Sequence, residues 1–464
     1  MTKPRLAIPV VVQFGVRYVL RTGLLEMLRG LVQPVIYLGW EDALLQEEFE
    51  ALGAEVYLLP KAQRDTTYTR IKRQLDMAHT RQIASPTTPI DKRRSDLLAP
   101  LPLRARLRDA FYTTNLAMPW QPERVLKLEA AAMKSGTNFD EFRALLRKHH
   151  IDAIFNLTPF YSNEQLLLRA AADLSLPICT SILSFDNLTT RGYVPVVSDT
   201  YLLWNRYNEQ ELYRIYPSTR EKHVEVVGAP QFDFYHDPRY LLDESTWRTL
   251  THLPPDRPVI LFGGGHYLIA YHEQHILKDI DDAIERGRIP HNPVILFRQH
   301  PNDPLDRWKP ILSSCKHVIH DVPWENAAEG IAHTNIRQQD IVKLASTLAH
   351  SCVHVNTSST LTIDGAIFDR PQIGPAYDTA GSKYHQVMRD LYLREHFLPI
   401  TNSGGLAISD TPEALITHIT EALENPAVRS AERKQMIREI ITYDDGKAVE
   451  RVNLGLRAFI NRHF

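Results

Sequence analysis

At 464 residues the chain is too long for one hydrophobic core, since cores stop growing near ~250–300 residues, and two domains are expected. A net charge of −2, with 44% hydrophobic and 23% charged residues, excludes a disordered chain and gives no pull toward nucleic acid, so no nucleic-acid partner is expected. Three widely spaced cysteines, Cys179, Cys315 and Cys352, exclude a disulfide framework and point to reduced thiols in a cytoplasmic protein. No run of ~18 apolar residues or signal-peptide pattern is visible.

Strand and helix patterns alternate, the signature of parallel sheets with helices on both faces. Ala7–Phe14 reads as the first strand, and Arg17–Leu31 as a helix with Leu20, Leu24, Leu25 and Leu28 on one side. Val35–Gly39 and Val56–Leu59 are further strands, separated by a helix over Asp42–Leu52. The rhythm then breaks. Lys61–Asp109 holds 12 Lys/Arg against 5 Asp/Glu and several prolines, so an insertion of about residues 61–135 is expected. It is either a solvated excursion, a basic surface for an anionic or lipid-linked acceptor at the inner face of a membrane, or an oligomer contact. Order returns with a helix over Asn138–His149 and a strand over Ala153–Leu157. Ser162, followed by Glu164 and Gln165, looks like the N-cap of the next helix. Strands at Ile178–Ser184, in DTYLLWN and in HVEVVGAPQFD complete this half.

Two proline clusters in LPPDRPVILFGGGH mark a restart, which sets the domains at 1–245 and 246–446. Strands follow at Val259–Phe262, Val294–Phe297, His317–His320, Cys352–Asn356 and Gln372–Gly374. Helices are expected near Tyr271–Glu285 and over Ile336–His350, Thr360–Phe368 and Thr411–Glu424. Asp281 and Asp282 read as surface residues. The last helix, within 447–464, is expected to pack back on the first domain.

Ligands of open parallel sheets bind beyond the carboxyl ends of the strands, and that rule selects four segments. Gly263, Gly264 and Gly265 would let backbone approach an anion, or would simply turn the chain. In RQHP, Pro301 biases His300 toward an extended pose at a strand tip, where its imidazole would meet phosphate and Arg298 would add charge. Thr357, Ser358 and Ser359 stand at a strand-to-helix junction. Plain N-capping needs only one hydroxyl, and three suit a phosphate. Asp364, about one and a half turns further, is a candidate for a ribose or acceptor hydroxyl. In the first half, Asp186 is a candidate general base with Asn187 beside it, although Asp-Asn is also a common turn pair. No metal-ligand spacing is present, so no metal and no cofactor are expected.

The pairing of RQHP with NTSSTLTIDGAIFDRPQIG resembles the C-terminal domain of GT-B glycosyltransferases. It is nearest to the CDP-glycerol glycerophosphotransferases, bacterial sialyltransferases and Kdo transferases of surface-polysaccharide synthesis. The matching positions are His300, Pro301, Ser358 and Ser359. The resemblance implies an α/β fold of two Rossmann-like domains facing across a cleft, with the basic helical insertion in the first. It implies a nucleotide-activated donor on the second domain and a glycan or lipid-linked acceptor on the first, with transfer of a sugar or polyol phosphate. His300 and the serines would stabilise the departing phosphate. The alternatives are an epimerase of the UDP-N-acetylglucosamine 2-epimerase type, which needs no acceptor, and an inactive binding scaffold.

Overall fold

Runs of consecutive apolar residues become the strands of two all-parallel sheets. The computed structural model describes residues 3–83, 85–98, 100, 102–107, 121–267, 269–270, 272–301, 303–323, 335–379 and 387–464. The chain divides into two units, one of residues 1–88, 99–230 and 447–464, the other of residues 89–98 and 231–446. Residues 108–120 of the expected insertion lie outside the described residues.

The first unit holds β1 (Arg5–Val10), β2 (Gln33–Leu38), β3 (Glu55–Leu58), β4 (Ala153–Asn156), β5 (Ile178–Ser181), β6 (Thr200–Leu203) and β7 (His223–Val226) in the order β3-β2-β1-β4-β5-β6-β7. The helix Phe139–Lys148 is amphipathic and turns Phe139, Phe142 and Leu146 inward. The final helix, Ala448–His463, places Val449, Val452, Leu456, Phe459 and Ile460 in this unit's core. Each such fully buried side chain contributes ~1.5–3 kcal/mol. Gly455 lets that helix approach the sheet, since a Cβ there would stand 2.7 Å from a Leu202 methyl.

Two local expectations change here. The single helix over Arg17–Leu31 is instead three short segments, Gln13–Val16, Arg17–Arg21 and Leu24–Leu28. Gly23 adopts a left-handed φ of 78° that interrupts the helix, yet Leu20, Leu24, Leu25 and Leu28 are all buried as expected. Ser162 does not cap its helix. The N-cap is Tyr161, and Glu164 is fully buried, accepting from Asn156 Nδ2 at 2.9 Å and from the Thr158 hydroxyl. Burial pushes the Glu164 carboxyl well above the usual carboxylate range.

The second unit holds β8 (Val259–Gly263), β9 (Val294–Arg298), β10 (Val318–Asp321), β11 (Val353–Asn356), β12 (Gln372–Pro375) and β13 (Leu406–Ser409) in the order β10-β9-β8-β11-β12-β13. β8, β9 and β11 are buried at every position, as strands covered on both faces must be. Strand order reverses between β8 and β11, which makes that junction the switch point where such sheets bind ligands.

This unit begins at Gln231, ahead of the boundary expected at residue 246. The turn Pro230–His236 is the reason: Tyr235 donates to Asp364 Oδ1 at 2.5 Å, and His236 Nε2 lies 2.8 Å from Asp444. Residues 89–98 also belong to it, although they come from the expected insertion. The helix expected near Tyr271–Glu285 runs over Gln274–Glu285, and Tyr271 lies outside the described residues. On that helix Asp281 is not a surface residue. Its carboxylate is buried, accepting from the amides of Lys316 at 3.0 Å and His317 at 2.8 Å. Among the described residues no helix is long and apolar enough to cross a membrane.

Candidate functional site

The tips of β8, β9 and β11 lie side by side in the second unit, with Gly263 in register with both Arg298 and Asn356. The sequence delivers different chemistry at each tip. β8 ends in the glycines and His266, β9 in Arg298-Gln299-His300, and β11 in Asn356 followed by Thr357, Ser358 and Ser359.

The rings of His266 and His300 meet edge to face, 5.3 Å between centroids. Burial first, then His266 and Arg307, pushes the His300 imidazole down to about 4, and burial lowers His266 as well. His300 is therefore neutral at neutral pH and offers one N–H and one lone pair. Its carbonyl accepts from the Asp303 amide at 2.9 Å, which fixes the turn that follows the proline. Buried Trp308 supports this turn, packing on Phe297 at 4.3 Å and donating to Asp303.

Bonded to the Gly265 amide is a carboxylate that sequence reasoning missed. Glu273 is fully buried; its Oε1 accepts from the Gly265 amide at 2.7 Å and from Arg307 at 3.1 Å. Arg307 also binds Asp303 and the Ala270 carbonyl, so it laces the loop after β8 to the loop after β9. One guanidinium thus serves two buried carboxylates, and burial raises Glu273 to about 8. The only signal in the sequence was an acidic residue within the apolar, histidine-rich IAYHEQHIL.

Between ~4.5 and about 8 the folded chain holds on Glu273 a proton that the unfolded chain has released. The stability it contributes is present below the unfolded value and is lost as pH rises through about 8, at up to ~1.4 kcal/mol per pH unit. Glu273→Gln, permanently neutral, is expected to flatten the decline of thermal stability between pH 5 and 8. An unchanged slope would contradict this assignment.

At the tip of β11 the hydroxyls divide their work. The helix N-cap is Thr360, without a side-chain cap bond; Ser359 Oγ accepts from the Leu361 amide at 3.2 Å, and Ser358, at a left-handed φ of 44°, donates to the Leu391 carbonyl at 3.1 Å. Thr357 Oγ1 and Asn356 Nδ2 are buried and have no hydrogen-bond partner among the described residues. Orphaned polar atoms inside a protein are uncommon, and these two stand at one strand tip.

Several expected site residues are otherwise engaged. Arg298 does not face a ligand. Its guanidinium is buried against Asp321, which also binds Lys343 at 2.5 Å, and donates to the Pro323 carbonyl at 3.2 Å. The glycines are not an open anion cradle either. The Gly264 amide donates to the Arg298 carbonyl at 2.9 Å and the Gly265 amide to Glu273, while a Cβ on Gly265 would lie 2.7 Å from Ala270. Gly263 lies in the ladder, hard against Leu361 and Asn356. Asp364 is held by Tyr235 instead of facing a ribose. In the first unit, the Asp186 carboxylate accepts from Ser184 at 2.5 Å, Asn187 at 3.2 Å and Thr190 at 3.1 Å, the pattern of a turn residue. The structure leaves His300, Pro301, Thr357, Ser358 and Ser359 at the strand tips around the switch point.

Two all-parallel sheets of Rossmann type, one in each unit, are the architecture of the GT-B class. The sequence profile of CDP-glycerol:poly(glycerophosphate) glycerophosphotransferases matches residues 193–454, more than half of the chain, and the chain belongs to that family. It is a transferase that draws on a nucleotide-activated donor in cell-surface polymer synthesis, as the RQHP and serine motifs implied. No curated protein sequence matches it. Among solved structures it is similar to a Rickettsia africae glycosyltransferase, with 12% identity, 100% of both chains covered and a TM-score of 0.51. It is also similar to a Neisseria meningitidis UDP-GlcNAc 2-epimerase bound to UDP-GlcNAc, with 11% identity, 97% of this chain and 99% of that one covered and a TM-score of 0.54. At these identities the likeness is one of fold.

Proposed function

We propose that the donor is a CDP-activated polyol phosphate whose diphosphate rests against the tips of β8, β9 and β11. The observation that carries this is the pair of buried, unpartnered groups, Thr357 Oγ1 and Asn356 Nδ2, at the switch point of the sheet that also bears His300. A terminal hydroxyl of a glycan or lipid-linked acceptor bonds the β-phosphorus, and the phosphoanhydride P–O bond breaks. CMP leaves with the electron pair, and the hydroxyl proton passes to water. The neutral His300 N–H and the Thr357 hydroxyl donate to the phosphate oxygens as charge grows on the leaving group, a preorganised electrostatic role. Asp186 has no part in this scheme, because its carboxylate is already held by three donors.

The experiment is to supply CDP-glycerol with a glycerophosphate oligomer and measure CMP release and chain extension. Acceptor-dependent CMP release is the expected result. Turnover of UDP-N-acetylglucosamine without an acceptor would instead favour the epimerase reading. We further propose that the acceptor is met at a membrane surface through the insertion. Leu103 and Leu107 are exposed beside exposed Arg104 and Arg106, an apolar and basic pairing suited to anionic lipid. Co-sedimentation with phosphatidylglycerol vesicles is expected, and its loss in Leu103→Asp/Leu107→Asp checks it. Equal pelleting of both forms would sink the idea.

A further inference from the structure

We propose that Arg94, carried into the second unit by the insertion helix Thr87–Leu98, is a donor-phosphate-binding residue. This rests on the donor reading above and names a ligand from a segment that none of the strand-tip motifs includes.

The helix is fixed at both ends of the site. Asp91 accepts from Arg394 through two bonds of 3.0 and 2.9 Å, and Arg93 donates to Asp390 at 2.8 Å. These ion pairs seat the helix on the segment Val387–Arg394, whose Leu391 carbonyl holds the Ser358 hydroxyl. Arg94 itself donates to the carbonyl of Ile269. Ile269 belongs to the turn begun by His266, whose carbonyl accepts from the amides of Ile269 and Ala270 at 2.8 and 2.9 Å. One helix therefore ties the loop bearing His266 to the segment that holds Ser358.

Arg94 differs from its neighbours. It is 4% exposed, and among the described residues it forms no ion pair and its Nε has no partner. Of the carboxylates around it, Asp91 and Asp390 are taken by Arg394 and Arg93, and Asp378 accepts from the Met388 amide at 3.4 Å. Burial, with Arg394 adding to it, pulls the guanidinium down to about 10. A buried guanidinium with an orphaned donor is costly unless an acceptor such as a phosphate oxygen meets it. The site needs such a cation. A diphosphate carries at least two negative charges, the strand-tip histidines are neutral, and Arg298, Arg307 and Arg394 are each bound to carboxylates.

The test is binding of CDP and of cytidine by calorimetry or displacement, alongside donor KM and kcat, for the full chain and for Arg94→Gln and Arg94→Lys. Arg94→Gln is expected to weaken CDP ~10–100-fold and to raise donor KM, while cytidine binding stays within about twofold. Arg94→Lys, which keeps the charge, is expected to recover part of the CDP affinity and serves alone if the glutamine variant does not fold. CDP binding unaltered by either variant, or CDP and cytidine weakened equally, would overturn this inference and leave the donor site standing. Failure of the unaltered protein to bind CDP would overturn the donor reading and this inference with it.

Discussion

Replacing His300 with alanine is expected to lower turnover of the CDP-activated donor by about 10²–10⁴-fold while leaving the thermal midpoint nearly unchanged. The imidazole stands at the tip of β9, half-buried beside His266, and the backbone carbonyl of His300 anchors the turn to Asp303. Removing the ring therefore deletes the proposed donor to the phosphates and keeps the backbone bond that holds the turn. The pH profile gives an independent check. With His300 pushed down to about 4 by burial, its charge does not change between pH 5 and 9, so the limb of the wild-type profile that it sets falls near pH 4. Steady-state kinetics across pH, with a circular dichroism melt of the variant, read both quantities. Full activity in His300→Ala would remove the residue from the reaction.

The largest effect on stability is expected at Arg298. Its guanidinium and the Asp321 carboxylate are both buried, and Lys343 is a second partner of that carboxylate. Arg298→Met removes the bidentate-capable partner and leaves Asp321 in the interior with one amine. Breaking a buried pair from one side destabilises by ~3–5 kcal/mol. Denaturant unfolding is expected to show a loss of that order, with CDP affinity of the folded fraction unchanged. A variant of wild-type stability that no longer binds CDP would restore Arg298 as a phosphate ligand.

The contrast between Arg298 and His300 shows which parts of this molecule are legible in its sequence. VILFG, VILFR and VHVN announce themselves as strands because a strand covered on both faces must be apolar at consecutive positions, and a local window shows that. The polar residues directly after them, His300, Thr357, Ser358 and Ser359, must then lie at the strand tips. Partners distant in sequence leave no such trace. Nothing near Arg298 reveals that Asp321, on the neighbouring strand, will neutralise it. Nothing in YHEQH reveals that Glu273 will be buried beneath Gly265. The three glycines advertise close approach, and the sequence does not say that the approaching atoms are Leu361, Phe297 and Ala270 of the protein itself. The insertion was recognised by its charge, but Asp91 and Arg93 draw part of it into the second unit by ion pairs with residues some three hundred positions away.

The crystal structure of the protein soaked with CDP tests the donor site most directly. We predict β-phosphate oxygens within ~2.7–3.2 Å of Thr357 Oγ1, an orphaned group at the switch point, and of the His300 ring. A diphosphate bound elsewhere on the chain, with Thr357 and His300 untouched, would contradict it.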